Sequence, residues 1–338
     1  MAKKKALFMV CLLAVAFGLT ALVVALAEKK EETDGLLCVT SFYPVQLLAE
    51  SVSAGAEGVT VRNLTENHSG CIHDYTLTTQ DMRLLSEAEL FLINGGEMEL
   101  FLERAAAEYK DLTIVDTSKG YDFLAGVGHS HDHGEETSGV ADSHAHEAEE
   151  HMESEESHEG HSHAVNAHIW MDIDGYLLQL SRIEAAFVTA DPAQETLYRQ
   201  NAERCREMLL TLKEEFEAAK PALMGKQTVV FHEGFVYLLN MLGMETVHCL
   251  SMDSDTQIAA GEAAEIMEEC KLHGITVLFA EEEYAQTVLD TFGAELSGEV
   301  FVLNPVTGGV DEDASGIEVY CDRMRVNLER IKQAYDLQ

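Results

Sequence analysis

Positive charge is what this 338-residue chain has least of: 22 Lys and Arg stand against 60 Asp and Glu, a formal net charge of -38. The deficit excludes nucleic acid and anionic membrane surfaces as partners, since both select a basic footprint. It fits a protein that deals with cations. No two cysteines stand at CxxC spacing, which excludes a thiolate zinc knuckle. No HExxH helix is present either, so the commonest hydrolytic zinc motif is missing. Between His129 and His163 apolar residues almost vanish, while nine histidines and eleven acidic residues crowd the segment. A stretch of that kind buries too little surface to offset its ordering entropy, and a mobile loop is expected.

What remains is ample for folding. Hydrophobic residues make up 46% of the chain, enough for a substantial core, and the length favours about two domains. Residues 1–27 stand apart from that core. Lys3, Lys4 and Lys5 precede an apolar run from Ala6 to Leu26, and Ala25-Leu26-Ala27 supplies small residues at signal-peptidase spacing. The same run, at about 1.5 Å per residue, reaches about 31 Å and suits a retained membrane anchor. Either reading sends the rest of the chain out of the cytoplasm, with the membrane contacted only through this segment. Cys11 lies too deep in the apolar run to be a lipid-modified cleavage-site cysteine.

From Leu36 the pattern alternates strand and helix. Strands are expected at 37–41, 59–64, 90–93 and 112–115, with helices after Pro44, from Thr78 and over 98–109. After the histidine-rich segment, Asp191-Pro192 opens a helix of about 28 residues, about 42 Å, running to Lys220. Its length suits a strut between lobes. Strands are then expected at 228–231, 246–250, 276–280 and 300–303, and a last amphipathic helix spans 317–334. Helix-length crossovers between strands imply parallel sheets. The fold class is therefore α/β: two lobes, each a mostly parallel sheet flanked by helices, joined by one long rigid helix. The N-terminal lobe covers 36–165 and includes the loop at 129–163. The linking segment covers 166–222, and the C-terminal lobe covers 223–338. Six cysteines follow Cys11; this arrangement brings Cys38 and Cys71 closest to a disulfide, the alternative for cysteines being small buried residues.

Six histidines lie outside the loop: His68, His73, His168, His232, His248 and His273. Three stand where ligands collect in open α/β sheets, beyond the carboxyl ends of strands. His73 follows the second strand and His232 follows the strand at 228–231. His168 opens the segment that leads to the long helix. Facing lobes bring His73 and His232 to opposite walls of one cleft, with His168 between them. Three neutral imidazoles are a favoured Zn2+ set and leave one tetrahedral position open. His248 and His273 read as ordinary strand and helix-end residues.

Several motifs resemble, in order, those of the zinc and manganese solute-binding proteins of ABC transporters, the cluster A-I type with a histidine-rich loop. They are Thr40-Ser41-Phe42-Tyr43-Pro44, His73-Asp74-Tyr75, Leu85-Ser86-Glu87-Ala88-Glu89-Leu90-Phe91, Asn94-Gly95-Gly96, His168-Ile169-Trp170-Met171-Asp172 and Phe231-His232-Glu233-Gly234-Phe235. The resemblance runs from Leu36 to Gln338. It implies a monomeric, non-enzymatic binding protein with His73, His168 and His232 as ligands, delivering Zn2+ to a membrane permease. It also implies zinc over Mn2+, because manganese-selective members carry a carboxylate at the third position. Relatives have an Asp or Glu near the last strand, where this chain reads Leu303-Asn304-Pro305-Val306-Thr307. The fourth place is left to water, to Glu281, or to the amide oxygen of Asn304.

Within the loop, His129, His131 and His133, His144 and His146, and His161 and His163 stand at i, i+2 spacing and form weak auxiliary zinc sites on a flexible tether. Imidazoles ligate only when neutral, so loop and cleft are both expected to release zinc below about pH 6.5. Two other functions use the same residues. A surface adhesin or zinc buffer needs no transporter. A zinc hydrolase uses the open fourth position, with Glu233 or Glu281 as general base.

Overall fold

The computed structural model describes residues 35–66, 72–73, 75–100, 109–126, 164–252, 258–296, 298–308 and 316–337. The segments at 1–27 and 129–163, together with His68, Cys71 and most of the helix expected at 98–109, lie outside them. Two four-stranded parallel sheets organise the chain. The first contains β1 (Leu36–Thr40), β2 (Val59–Asn63), β3 (Leu90–Ile93) and β4 (Thr113–Asp116), in the order β2-β1-β3-β4. The second contains β5 (Gln227–Val230), β6 (Glu245–Cys249), β7 (Val277–Ala280) and β8 (Glu299–Val302), in the order β6-β5-β7-β8. The central strands read as continuous apolar runs, Leu-Phe-Leu-Ile in β3 and Val-Leu-Phe-Ala in β7, as expected where helices cover both faces. In each sheet the order reverses beside the first strand, so β1/β3 and β5/β7 frame a crevice at their carboxyl ends.

Local chemistry sets the helices. Pro44 sits in the first turn of α1 (Tyr43–Ser53), where its missing N–H costs nothing. A capping box of Thr78 and Asp81 opens α2 (Thr79–Glu87). The segment after His168 forms an 18-residue helix not anticipated from sequence, α3 (Ile173–Ala190), capped by Asp172. Pro192 then leads into α4 (Glu195–Leu223), 29 residues and about 44 Å long. The remaining helices are α5 (Phe235–Met241), α6 (Ala260–His273), α7 (Glu282–Val288) and α8 (Ile317–Ala334). Asn201 on α4 donates to Val52 O and Ala54 O at the end of α1, both at 2.9 Å. Further along α4, Glu215 takes Arg325 of α8 at 3.0 Å.

One apolar cluster runs unbroken between the sheets. It links Val45 and Leu48 of α1, Tyr176 and Leu180 of α3, Leu209 and Leu212 of α4, Val230, Phe235 and Phe279 of the second sheet layer, and Tyr320 and Met324 of α8. Tyr176 and Tyr320 stack at its centre with ring centroids 4.0 Å apart. Cys38 belongs to this cluster as a fully buried thiol, and Cys71, its expected disulfide partner, lies outside the described residues. Cys38 is the middle residue of β1, its side chain packs inward, and burial pushes the thiol well up from its ordinary pKa.

A polar knot closes the β1/β3 crevice. The left-handed residues Gly95, Gly96 and Glu97 make a sharp turn, and a Cβ on Gly95 would meet Asp116 Oδ1 at 2.0 Å. Glu99 holds the turn from beneath, accepting the N–H groups of Asn94 at 2.7 Å and Gly95 at 3.0 Å. Burial pushes the Glu99 carboxyl up to about 7, against the opposing pull of hydrogen bonds from Ser41 and the two peptides.

Two predictions come from this packing. Leu209→Ala opens a cavity under α4 and should cost about 2–5 kcal/mol in urea denaturation, while Leu210→Ala, on the exposed face, should stay within about 0.5 kcal/mol. Glu99 has a raised folded-state pKa, so its stabilising contribution is complete below the ordinary value of 4.5 and is lost as pH rises through about 7. Glu99→Gln should remove roughly 3 kcal/mol of that pH dependence. The readout is the change in stability between pH 4.5 and 7.5, compared with the parent chain.

Candidate metal centre

The carboxyl ends of β5 and β7 supply two neighbouring side chains. His232 lies two residues beyond β5 and is buried; Glu281 follows β7 directly and opens α7. Their side chains meet with His232 Nε2 3.3 Å from Glu281 Oε1. From between the sheets comes His168, 1% exposed, its ring centroid 4.8 Å from that of His232. His73 approaches from the first sheet, beyond β2, and its ring centroid is 5.4 Å from that of His168. The three histidines named from the sequence therefore neighbour one another through His168, and Glu281, named there too, lies against His232.

Spacing and chemistry both fit a cation. Three imidazoles on one tetrahedral zinc, with Zn–N of about 2.0–2.1 Å, hold their ring centres about 5 Å apart. The observed separations bracket that value. The donor atoms are not closed into a finished cage: among the described residues no three His, Cys, Asp or Glu side chains already stand at ligand distances. Ring positions, which depend on the backbone, are the stronger indicator here, because side-chain rotation moves the donor nitrogens. Asn166 Oδ1, an acceptor, lies 2.9 Å from His168 Nδ1, which assigns the proton to Nδ1 and makes Nε2 the nitrogen that carries the lone pair. His232 Nδ1 accepts the Gly234 N–H at 3.1 Å, so its proton sits on Nε2, facing Glu281. Cation capture at that nitrogen would require this proton to move to Nδ1, at the expense of the Gly234 contact.

The walls are aromatic and tight. Trp170 lies 5.0 Å from His168 and Phe235 5.0 Å from His232, centroid to centroid. Gly234 allows the close approach: a Cβ there would meet His232 Cε1 at 2.8 Å and His168 Cβ at 3.1 Å.

The other candidates make contacts of their own. Asn304 is exposed, and its amide oxygen accepts the Val306 N–H at 2.7 Å, closing the turn after β8. That bond uses one of the two lone pairs of the oxygen expected to face a metal. His248 pairs through Nδ1 with Glu269 at 2.8 Å on the edge strand β6, and His273 ends α6. The loop histidines His129 to His163 fall outside the described residues. The residues flanking them do not: Ala125 and Val165 form an antiparallel bridge, and Asn166 N donates to Leu124 O at 2.9 Å. Among the described residues no helix is long and apolar enough to cross a membrane. Sequence reading missed Asn166, Gly234 and Tyr237. The only available signal was their place within a few residues of His168 and His232.

Known proteins resemble this chain over nearly its whole length. The zinc-uptake complex component A periplasmic (ZnuA) family matches residues 38–334. The zinc-binding protein AdcA of Streptococcus pyogenes serotype M3 (strain ATCC BAA-595 / MGAS315) is 27% identical over 341 residues, 99% of this chain but 62% of AdcA. The chain thus spans less than two thirds of that relative's length. The high-affinity zinc uptake system protein ZnuA of Bacillus subtilis (strain 168) is 25% identical over 303 residues, 89% of this chain and 88% of the relative. Among solved structures, the metal-dependent lipoprotein YcdH from Bacillus subtilis superposes with a TM-score of 0.68 over 88% of this chain and 99% of that one. At 23% identity this is a likeness of fold. The relatives are described by zinc binding and uptake, not by turnover. With a family match over nearly its whole folded length, this chain belongs to the zinc-uptake complex component A periplasmic (ZnuA) family.

Proposed function

We propose that this chain captures Zn2+ outside the cytoplasm and delivers it to an ABC-transporter permease, with His73, His168, His232 and Glu281 as the four ligands. The observation that carries the reading is the packing of the His73 and His232 rings against that of His168, with the His168 proton held on Nδ1 by Asn166. Glu281 takes the fourth place because it already touches His232, whereas Asn304 is committed to its turn. Three nitrogen donors favour zinc over manganese, which prefers oxygen. The two lobes are bridged by the linking segment and α4, and one lobe cannot swing freely while they share a core. The histidine-rich insertion gathers ions near the cleft and is accessory to tight binding.

Titration calorimetry tests the assignment. The full chain and one lacking residues 129–163 should both show one tight zinc event that outcompetes manganese. His73→Ala, His168→Ala and His232→Ala should each abolish it, and acidification below about pH 6.5 should weaken it as the imidazoles protonate. Loss of all tight binding on deleting the insertion would overturn the cleft site and leave a histidine-rich buffer. Gly234→Ala supplies a second check. Its methyl group has no room beside His232 and His168, so zinc affinity should fall at least about tenfold, the lower end of what disturbed ligand orientation costs.

A further inference from the structure

Asn166 is 1% exposed, and each of its hydrogen-bonding groups has a partner. Its N–H donates to Leu124 O at 2.9 Å, and its carbonyl accepts the Tyr237 hydroxyl at 2.8 Å. Its side-chain oxygen accepts the His168 N–H at 3.1 Å and faces His168 Nδ1 at 2.9 Å. Its side-chain nitrogen donates to Glu233 O at 2.9 Å. These partners belong to three parts of the molecule: the chain entering the histidine-rich insertion, the segment bearing His168, and the peptide next to His232. Tyr237 strengthens the same junction, because its hydroxyl also accepts the Leu124 N–H at 3.0 Å.

The amide has a fixed sense. Its nitrogen must face the Glu233 carbonyl, which accepts only, so its oxygen must face His168. An oxygen there holds the His168 proton on Nδ1 and aims Nε2 at the cleft. An apolar side chain of the same size fills the space but leaves the tautomer unset, and both the His168 N–H and the Glu233 carbonyl lose this partner.

We propose that Asn166 is a positioning residue for zinc capture: it sets the tautomer and direction of His168 and locks the His168 and His232 segments into one register across the cleft. The inference rests on the reading of His168 as a ligand. Because Asn166 also bonds to Leu124, the insertion begins from a neck built into the metal centre.

The test uses the full chain with Zn2+ and Co2+ as probes. In the metal-free parent at pH 8, ring 15N shifts should show His168 as the Nδ1–H tautomer; the Nε2–H tautomer overturns the proposal without any variant. Asn166→Leu should weaken Zn2+ binding about 10- to 100-fold in chelator competition and alter the visible spectrum of the Co2+-loaded chain. Asn166→Asp keeps the acceptor facing His168 and should restore the parent Co2+ spectrum and most of the affinity. A purely structural role predicts no such rescue, since the carboxylate still loses the donor to Glu233. Parent-like Zn2+ binding by Asn166→Leu, when His168→Ala has lost it, overturns the positioning role alone. Parent-like binding by His168→Ala overturns the ligand reading beneath it.

Discussion

Six consecutive residues, Asn166 to Met171, are buried between the two sheets without belonging to a strand or an α-helix. Buried irregular backbone is costly unless each peptide group finds a partner. Here the partners come from both sides. Asn94 Nδ2 donates to Ala167 O at 2.9 Å from the first sheet. Tyr237 serves Asn166 O from the second-sheet layer, and Tyr320 serves Trp170 O at 2.7 Å from α8. Trp170 Nε1 in turn donates to Pro305 O at 2.8 Å, tying in the turn after β8. Satisfying this segment therefore fixes where both carboxyl edges lie, and His168 sits within it.

The same constraint limits motion. Domains that close on a ligand usually meet across a small polar interface with a flexible connection. This molecule has an apolar cluster continuous from β1 to β7 and α8, with α4 packed along it. Swinging one lobe away would expose that cluster. Local rearrangement of the irregular segments at the carboxyl edges, where His73 and the insertion neck lie, is the less costly way to open and close around an ion.

Much of this was legible in the sequence because parallel strands buried on both faces are unbroken apolar runs. All eight strands lie within one residue of their expected bounds, and α4 begins next to Pro192 as read. Helix α3 escaped notice because Ile169 to Met171 blends into it, and its start depends on a single Asp172 cap. The meeting of His73, His168 and His232 was legible from the switch-point rule, which needs only strand order. The polar links were not. Asn166, Asn94 and Tyr237 act through partners dozens of residues away, and no local pattern marks an amide that bridges two lobes. Cys38 shows two signals at odds: counting thiols points to pairing with Cys71, which lies outside the described residues, while a central position on a buried strand points to packing.

On the proposed function, charge and donor type divide the work of capture between them. A net charge of -38 attracts every cation, so the field of the protein raises encounter rates without discriminating among divalent ions. Discrimination has to arise where solvent is excluded. At His168 and His232, buried against Trp170 and Phe235, an ion must trade its water for nitrogen donors. Mg2+ and Ca2+ gain little from that exchange because they favour oxygen, whereas Zn2+ gains most of its coordination energy. On the proposed ligand set, one carboxylate among three imidazoles would leave a bound Zn2+ with a residual positive charge of about one, which the acidic surroundings offset. On that reading the acidic surface and the imidazole-lined cleft are complementary, the first supplying abundance and the second selectivity.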